Sequence, residues 1–95
     1  MIDIEKKHLQ IIQEILAQAS VDFFAFGSRT KHTNRKFSDL DLCYKAPLDR
    51  KILVKIKTEL EESNLPFNVD IVDYNQCDNS FKQLIDKDLT PINKF

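Results

Sequence analysis

The hydrophobic positions in the first half of the chain predict one helix followed by two strands. In residues 3–19, apolar side chains recur every three or four positions with charged and amide side chains between them, as in an amphipathic helix. Residues 21–26 are rich in aromatic side chains and form too short a run for a helix, which predicts a strand ending at Gly27. In residues 38–45, Leu40 and Leu42 alternate with polar positions, so we expect a second strand with one apolar and one acidic face.

The next segment predicts a second helix and a third strand. Residues 49–63 carry an apolar stripe at helical spacing, and Asp49 is placed to be its N-cap. Residues 67–74 are mostly apolar and β-branched, which predicts a strand interrupted by Asp70.

The last part of the chain predicts a short helix and a tail. Asp78 or Asn79 is expected to cap the helix, and residues 89–95 are expected to be a tail because Pro91 breaks any helix. The order α-β-β-α-β-α predicts an α/β (α+β) fold, a small mixed β-sheet flanked by helices that pack on one side.

Composition narrows the class of protein. The 95 residues predict a single domain, 1–95, and the net charge of −1 argues against broad nucleic-acid binding. The sequence contains no apolar run of membrane-spanning length and no signal-peptide pattern at its start, so we expect no membrane segment. Cys43 and Cys77 match no zinc or redox spacing and predict free thiols, which favours a cytoplasmic protein.

The only glycine in the chain, Gly27, ends the first predicted strand and is followed by Ser28. Glycine permits a sharp turn and the close approach of a ligand to the backbone. Residues 28–37 then carry four positive charges and no negative one, which suits an anionic ligand; Arg29 and Lys31 are the candidate contacts. The alternative reading is a plain turn, with Ser28 as a helix N-cap and a solvated basic loop.

Three carboxylates form the second candidate feature. Asp39 and Asp41 lie two residues apart on a strand and therefore point the same way, and Asp70 lies on another strand. Mg²⁺ prefers carboxylate, phosphate and water oxygens, so the three side chains predict a site for Mg²⁺ or Mn²⁺. Asp70 is also a candidate base for an attacking hydroxyl. The alternative for Asp-x-Asp alone is a solvated strand edge.

These residues together carry a family resemblance. Gly27-Ser28, a ten-residue spacer, Asp39-Leu40-Asp41 and the downstream Asp70 resemble the signature of the DNA-polymerase-β-like nucleotidyltransferases, and most of all the minimal nucleotidyltransferase (MNT) group. The resemblance implies a polymerase-β-like palm and an enzyme that moves a nucleoside monophosphate, AMP from ATP, to a hydroxyl of a partner protein or small molecule. It implies that Gly27 and Ser28 bind the triphosphate and that Asp39 and Asp41 bind the metal, with Asp70 as third carboxylate and base.

The resemblance also implies a partner. Family members of this size are commonly encoded beside an all-helical HEPN-type protein, as in toxin–antitoxin pairs, and the small domain leads us to expect a partner chain or an oligomer. A rival hypothesis is a catalytically idle antitoxin that neutralises its partner by contact alone. One departure is His32, which stands where many family members have a second glycine.

Overall fold

The computed structural model describes residues 4–27 and 39–92. Strand β2 lies beside β1 and β3, and the sheet has the order β3-β2-β1-β4. The elements agree with the predicted ones to within a few residues at each end, apart from the fourth strand. The helices are α1 (Lys6–Leu16), α2 (Arg50–Glu62) and α3 (Asn79–Asp86), and the strands are β1 (Phe23–Phe26), β2 (Leu40–Tyr44), β3 (Val69–Asp73) and β4 (Thr90–Pro91), with one 3₁₀ turn, Tyr74–Gln76.

The pairing of the strands brings the predicted site residues to one region. Strand β1 is antiparallel to β2, with Phe26 opposite Asp41. Strand β2 is parallel to β3, with Asp41 opposite Asp70. Parallel neighbours need a crossover connection, and helix α2 supplies it between β2 and β3.

One face of the sheet holds the main core. The alternating apolar residues of the strands pack there against the apolar stripes of α1 and α2, because each element is hydrophobic on one side only. Fully buried members of this core are Ile12, Leu16, Phe23, Ala25, Leu40, Leu42, Ile56 and Ile92.

The opposite face is covered by α3. Ile85 of this helix is buried together with Phe26 and Cys43, and the ring of Phe81 meets Phe26 edge-on at a centroid distance of 5.8 Å. The sheet is flanked by helices as predicted, but the prediction that all helices pack on one side is wrong. The order of elements does not determine the side of a terminal helix; here the 3₁₀ turn after β3 leads the chain to the other face.

The predicted tail contains a strand. Thr90–Pro91 pairs with β1, and the amide of Ile92 donates to the carbonyl of Phe23 at 3.0 Å. The Nε2 of Gln13 in α1 donates to the Ile92 carbonyl at 2.9 Å. Pro91 is compatible with β4 because this strand lies at the edge of the sheet, where a missing amide costs little.

Asp49 is confirmed as an N-cap, and of the two candidates for the last helix, Asp78 or Asn79, the cap is Asp78. Asp49 accepts from the Lys51 amide at 2.7 Å, and Asp78 accepts from the Phe81 amide at 2.8 Å. No helix in residues 4–27 and 39–92 is long and apolar enough to cross a membrane. Cys43 and Cys77 are free cysteines, as predicted.

Candidate active site

Gly27 ends β1 in a conformation that other residues rarely adopt, with φ at +88°. A Cβ atom added there would lie 2.9 Å from Oδ2 of Asp41. The absence of a side chain at Gly27 therefore lets the Asp41 carboxylate lie against the backbone at the strand end. The sequence predicted that a ligand approaches the backbone at Gly27, and this stays a prediction; in the described structure the group close to Gly27 is the Asp41 carboxylate.

Asp41 and Asp70 are register partners on parallel neighbouring strands. Strands in a sheet are about 4.8 Å apart, so two register partners present their side chains next to each other on the same face. This is the face that Phe26, Cys43 and α3 share, away from the main core. Asp41 is half-buried and Asp70 is exposed.

The charges of this cluster affect Asp41 most. Burial raises the pKa of the Asp41 carboxyl above its usual value, and the negative charges of Asp70 and Asp39 raise it further. A group whose ionised form is disfavoured by like charges is stabilised when a cation compensates them. The cluster therefore has the electrostatic character of a cation site.

Asp39 stands just before β2, two residues from Asp41, and is exposed. It lines a cavity of about 420 Å³ together with Asp70 and the segment between α2 and β3. In the described part of the chain, no three His, Cys, Asp or Glu side chains are gathered closely enough to hold a metal ion. A Mg²⁺ ion commonly takes only one or two carboxylates and fills its shell with phosphate oxygens and water, so the Asp41 and Asp70 pair fits it.

The remaining predicted ligand residues, Ser28, Arg29 and Lys31, lie outside the described residues, as does His32. Their roles stay predictions, and so does the assignment of Asp39, Asp41 and Asp70 as metal ligands and catalytic groups.

Strand alternation places Asp73, which is on the same strand as Asp70, on the opposite face of the sheet. It lies opposite Tyr44, whose side chain belongs to the main core, whereas Asp70 lies opposite Asp41. The Asp73 carboxylate accepts from the Asn75 amide at 2.9 Å and so caps the 3₁₀ turn. Asp73 thus has a structural role away from the cluster.

Sequence reasoning missed a groove that wraps around the outer edge of β3, which we call the edge groove. Its volume is about 570 Å³. The signal for it is weak in the sequence, because Lys57 and Glu61 belong to a polar helix surface and Phe81 belongs to an apolar stripe. Its lining residues are Phe26, Asp41, Lys57, Glu61, Val69, Asp70, Ile71, Val72 and Phe81.

Comparison with known proteins adds three findings. A family model described as polymerase beta, nucleotidyltransferase matches residues 9–92. The chain is 38% identical over 90 residues to a Haemophilus influenzae protein named "Probable protein adenylyltransferase MntA", and the match covers 90% of this chain and 79% of that protein. A solved structure described as a toxin–antitoxin with AMP-PNP superposes with a TM-score of 0.66 at 21% identity, covering 88% of this chain and 71% of that one, which supports the predicted fold.

Proposed function

From the premise that the chain belongs to the polymerase-β nucleotidyltransferase family and is a nucleotidyltransferase of the minimal type, we propose that it transfers AMP from ATP to a hydroxyl group. Asp39, Asp41 and Asp70 are the catalytic and metal-binding carboxylates of this proposal. Gly27, Ser28, Arg29 and Lys31 bind the triphosphate.

The observation that carries the proposal is the alignment of Gly27, Asp41 and Asp70 across three adjacent strands. Gly27 follows Phe26, which lies opposite Asp41, and Asp41 lies opposite Asp70. A strand end without a side chain therefore adjoins two neighbouring carboxylates. Positioning and charge neutralisation are the main requirements for transfer at phosphorus, and this arrangement supplies groups for both.

The chemistry assigns a role to each group. The acceptor hydroxyl oxygen forms a bond to the α-phosphorus, the bond from this phosphorus to the bridging oxygen breaks, and pyrophosphate leaves. The hydroxyl proton passes to the Asp70 carboxylate, which is exposed and therefore reachable by an acceptor. The neighbouring pair Asp41 and Asp70 would hold Mg²⁺, and Asp39 would join them once the ion compensates their charge. The ion when bound supplies charge neutralisation to the phosphates.

The choice of nucleotide and partner rests on the relatives. One relative is named "Probable protein adenylyltransferase MntA", and the solved structure is described with AMP-PNP, which favours ATP here. That structure is also described as a toxin–antitoxin, which supports a protein partner, and we propose a HEPN-type helical protein. ATP, Mg²⁺ and free thiols such as those of Cys43 and Cys77 occur together in the cytoplasm, where we place the protein.

The test is AMP transfer from radiolabelled ATP in the presence of Mg²⁺ and the protein encoded by the adjacent gene. Asp70→Asn removes the base and should slow transfer by about 10²–10⁴-fold. Asp41→Asn should also reduce transfer strongly. Asp73→Asn is the matched control, because this carboxylate lies on the same strand and outside the cluster. Transfer that persists in the Asp41 and Asp70 variants, or that falls equally in the Asp73 variant, would contradict the assignment.

A growth assay distinguishes the proposed enzyme from the rival proposal, an antitoxin that acts by contact alone. The wild-type chain and Asp41→Asn are each expressed with the partner toxin, and the level of both proteins is matched by immunoblot. Loss of neutralisation in Asp41→Asn with retained binding of the partner supports the enzyme. Full neutralisation by Asp41→Asn supports contact alone.

A further inference from the structure

The order of the strands gives the proposed reaction a direction. Gly27 ends β1, Asp41 lies on β2 and Asp70 lies on β3, and these three strands are consecutive in the sheet. In transfer at phosphorus, the attacking and leaving oxygens lie roughly in line. If pyrophosphate leaves on the Gly27 side, the acceptor must approach on the side of Asp70, which is the β3 side of the sheet.

The edge groove lies on that side. It contains Asp70 and Asp41, and it continues around β3 to Lys57 and Glu61 of α2 on one wall and to Phe81 of α3 on the other. The sheet as described places no further strand beyond β3. An acceptor group can therefore enter from the edge and reach the Asp70 carboxylate.

Phe81 gives the groove an apolar wall. Its side chain is 36% exposed although it packs edge-on against Phe26 at 5.8 Å. Phe26 itself is buried, so the Phe81 ring packs against the apolar cluster of this face and still lines the groove. An aromatic ring in this position favours a ligand with apolar surface next to its reacting group.

The charges of the groove distinguish between classes of acceptor. Asp41, Glu61 and Asp70 line it, and Lys57 is the one cation among its described lining residues. Asp41 and Asp70 are the proposed cation ligands, and outside them Lys57 and Glu61 balance each other. The described lining therefore lacks the excess of lysine and arginine through which a nucleic acid is mainly bound, and a protein acceptor needs no such excess.

We propose that the edge groove is the acceptor site, and that it receives a hydroxyl of a partner protein with an adjacent apolar group that packs on Phe81. This inference rests on the proposed transfer reaction for its direction. It assigns Phe81 the role of a specificity-determining residue and Lys57 and Glu61 the role of a polar rim.

The test is an NMR titration of the ¹⁵N-labelled full chain, without nucleotide or metal, so its result does not depend on activity. The probes are benzyl alcohol, which has a hydroxyl beside an apolar ring, ribose, which has hydroxyls without one, and a short single-stranded RNA. We expect benzyl alcohol to shift the amides of Lys57, Val72 and Phe81 in a saturable way. Ribose and RNA should leave these amides in place.

Variants of α3 complete the test. Phe81→Ala should weaken the binding of benzyl alcohol at least tenfold, and Phe81→Leu should weaken it less because an apolar side chain remains. Leu84→Ala is the matched control, since Leu84 is a more exposed apolar residue of the same helix and does not line the groove. Circular dichroism checks that each variant folds, and Phe81→Leu serves as the test variant if Phe81→Ala does not fold.

Three outcomes would overturn the proposal. Shifts at Leu84 and Val54 equal to those at Phe81 would show general adhesion to exposed apolar residues. Shifts of the groove amides by RNA or ribose equal to those by benzyl alcohol would assign the groove to a different acceptor. Unchanged affinity of the Phe81 variants for benzyl alcohol would show that Phe81 does not determine specificity. An absence of AMP transfer by the wild-type chain, or undiminished transfer by Asp70→Asn, in contrast, contradicts the proposed reaction and leaves these binding data unaffected.

Discussion

On strand β2, Leu42 is completely buried with residues of α1 and α2, whereas its neighbour Asp41 points to the other face and is only half-buried. The same contrast holds for the whole sheet. The face under α1 and α2 consists of apolar contacts, and the face toward α3 combines a smaller apolar cluster with the carboxylates. Alternation along each strand thus separates the residues that stabilise the fold from those proposed to act on a substrate.

The largest expected effect is a loss of stability from a substitution on the sheet face under α1 and α2. Phe23 is fully buried there, and Phe23→Ala should lower the free energy of unfolding by about 3–5 kcal/mol, because it removes a large side chain and leaves a cavity. Phe24, its neighbour on the other face, is only half-buried, and Phe24→Ala should cost about 1–2 kcal/mol. Urea unfolding measures both. Equal decreases in the free energy of unfolding would show that the two faces of the sheet contribute equally to stability.

The next prediction concerns the point where β1 meets the site. Gly27→Ala places a side chain at positive φ, which costs about 1–2 kcal/mol, and its Cβ displaces the Asp41 carboxylate. We expect a lower melting temperature and a loss of AMP transfer. Gly27→Asn tolerates positive φ better but adds the same Cβ, so it should be more stable than Gly27→Ala and equally impaired in transfer. Normal transfer in either variant would show that Asp41 need not lie against this backbone.

A smaller effect of opposite sign is expected at Asp41. Its raised pKa means that the folded protein disfavours the ionised carboxylate, so Asp41→Asn should raise the free energy of unfolding of the metal-free protein near neutral pH. This gain in stability should shrink as the pH falls and Asp41 becomes protonated. Thermal melts in chelator measure the gain. In Mn²⁺ or Mg²⁺ the wild type should melt higher and Asp41→Asn should respond little.

The contradictory result would be a lower melting temperature for Asp41→Asn in chelator. It would mean that the carboxylate stabilises the fold through contacts that outweigh the repulsion by Asp39 and Asp70.

The smallest expected effect is a shift in the pKa of Tyr74, which directly follows β3 and contacts the carboxylate of Asp86. The Tyr74 hydroxyl donates to Oδ1 of Asp86 at 2.6 Å, and this hydrogen bond, with the negative charge of Asp86, raises the pKa of Tyr74 to about 12. The hydrogen bond is present below the usual tyrosine pKa and is lost as the pH rises through the higher value. Asp86→Asn should therefore lower the pKa of Tyr74 toward its usual value.

Phenolate absorbance during an alkaline titration measures this shift. Tyr44 is the internal control, because its pKa is raised by burial and by Asp73, neither of which the substitution changes. An unchanged Tyr74 transition in Asp86→Asn would exclude the hydrogen bond as the cause.

The sequence was sufficient for the features that depend on local pattern. Alternation placed Leu40, Leu42 and Asp41 on their correct faces. Cap chemistry identified Asp49 and limited the cap of the last helix to Asp78 or Asn79. The motif around Gly27 and the carboxylates indicated the family that the comparisons show.

Features that depend on long-range pairing were missed. Strand β4 has two residues, one of them Pro91, and becomes a strand only because β1 lies beside it. The side on which α3 packs is decided by contacts such as that of Phe81 with Phe26. These two residues are 55 positions apart, so no local pattern in the sequence links them. The edge groove combines residues of two helices and β3, so only the assembled fold reveals it.

The position of β3 has a consequence for Asp70. Strand β2 is hydrogen-bonded on both sides, whereas β3 is bonded to β2 alone in the sheet as described. Asp70 is therefore held by fewer inter-strand bonds than Asp41, and fraying of one strand withdraws it while the rest of the sheet stays folded. Hydrogen exchange should be faster for the amides of β3 than for those of β2. The fraction of time that β3 is paired with β2 sets an upper limit on the fraction of molecules in which Asp70 lies beside Asp41.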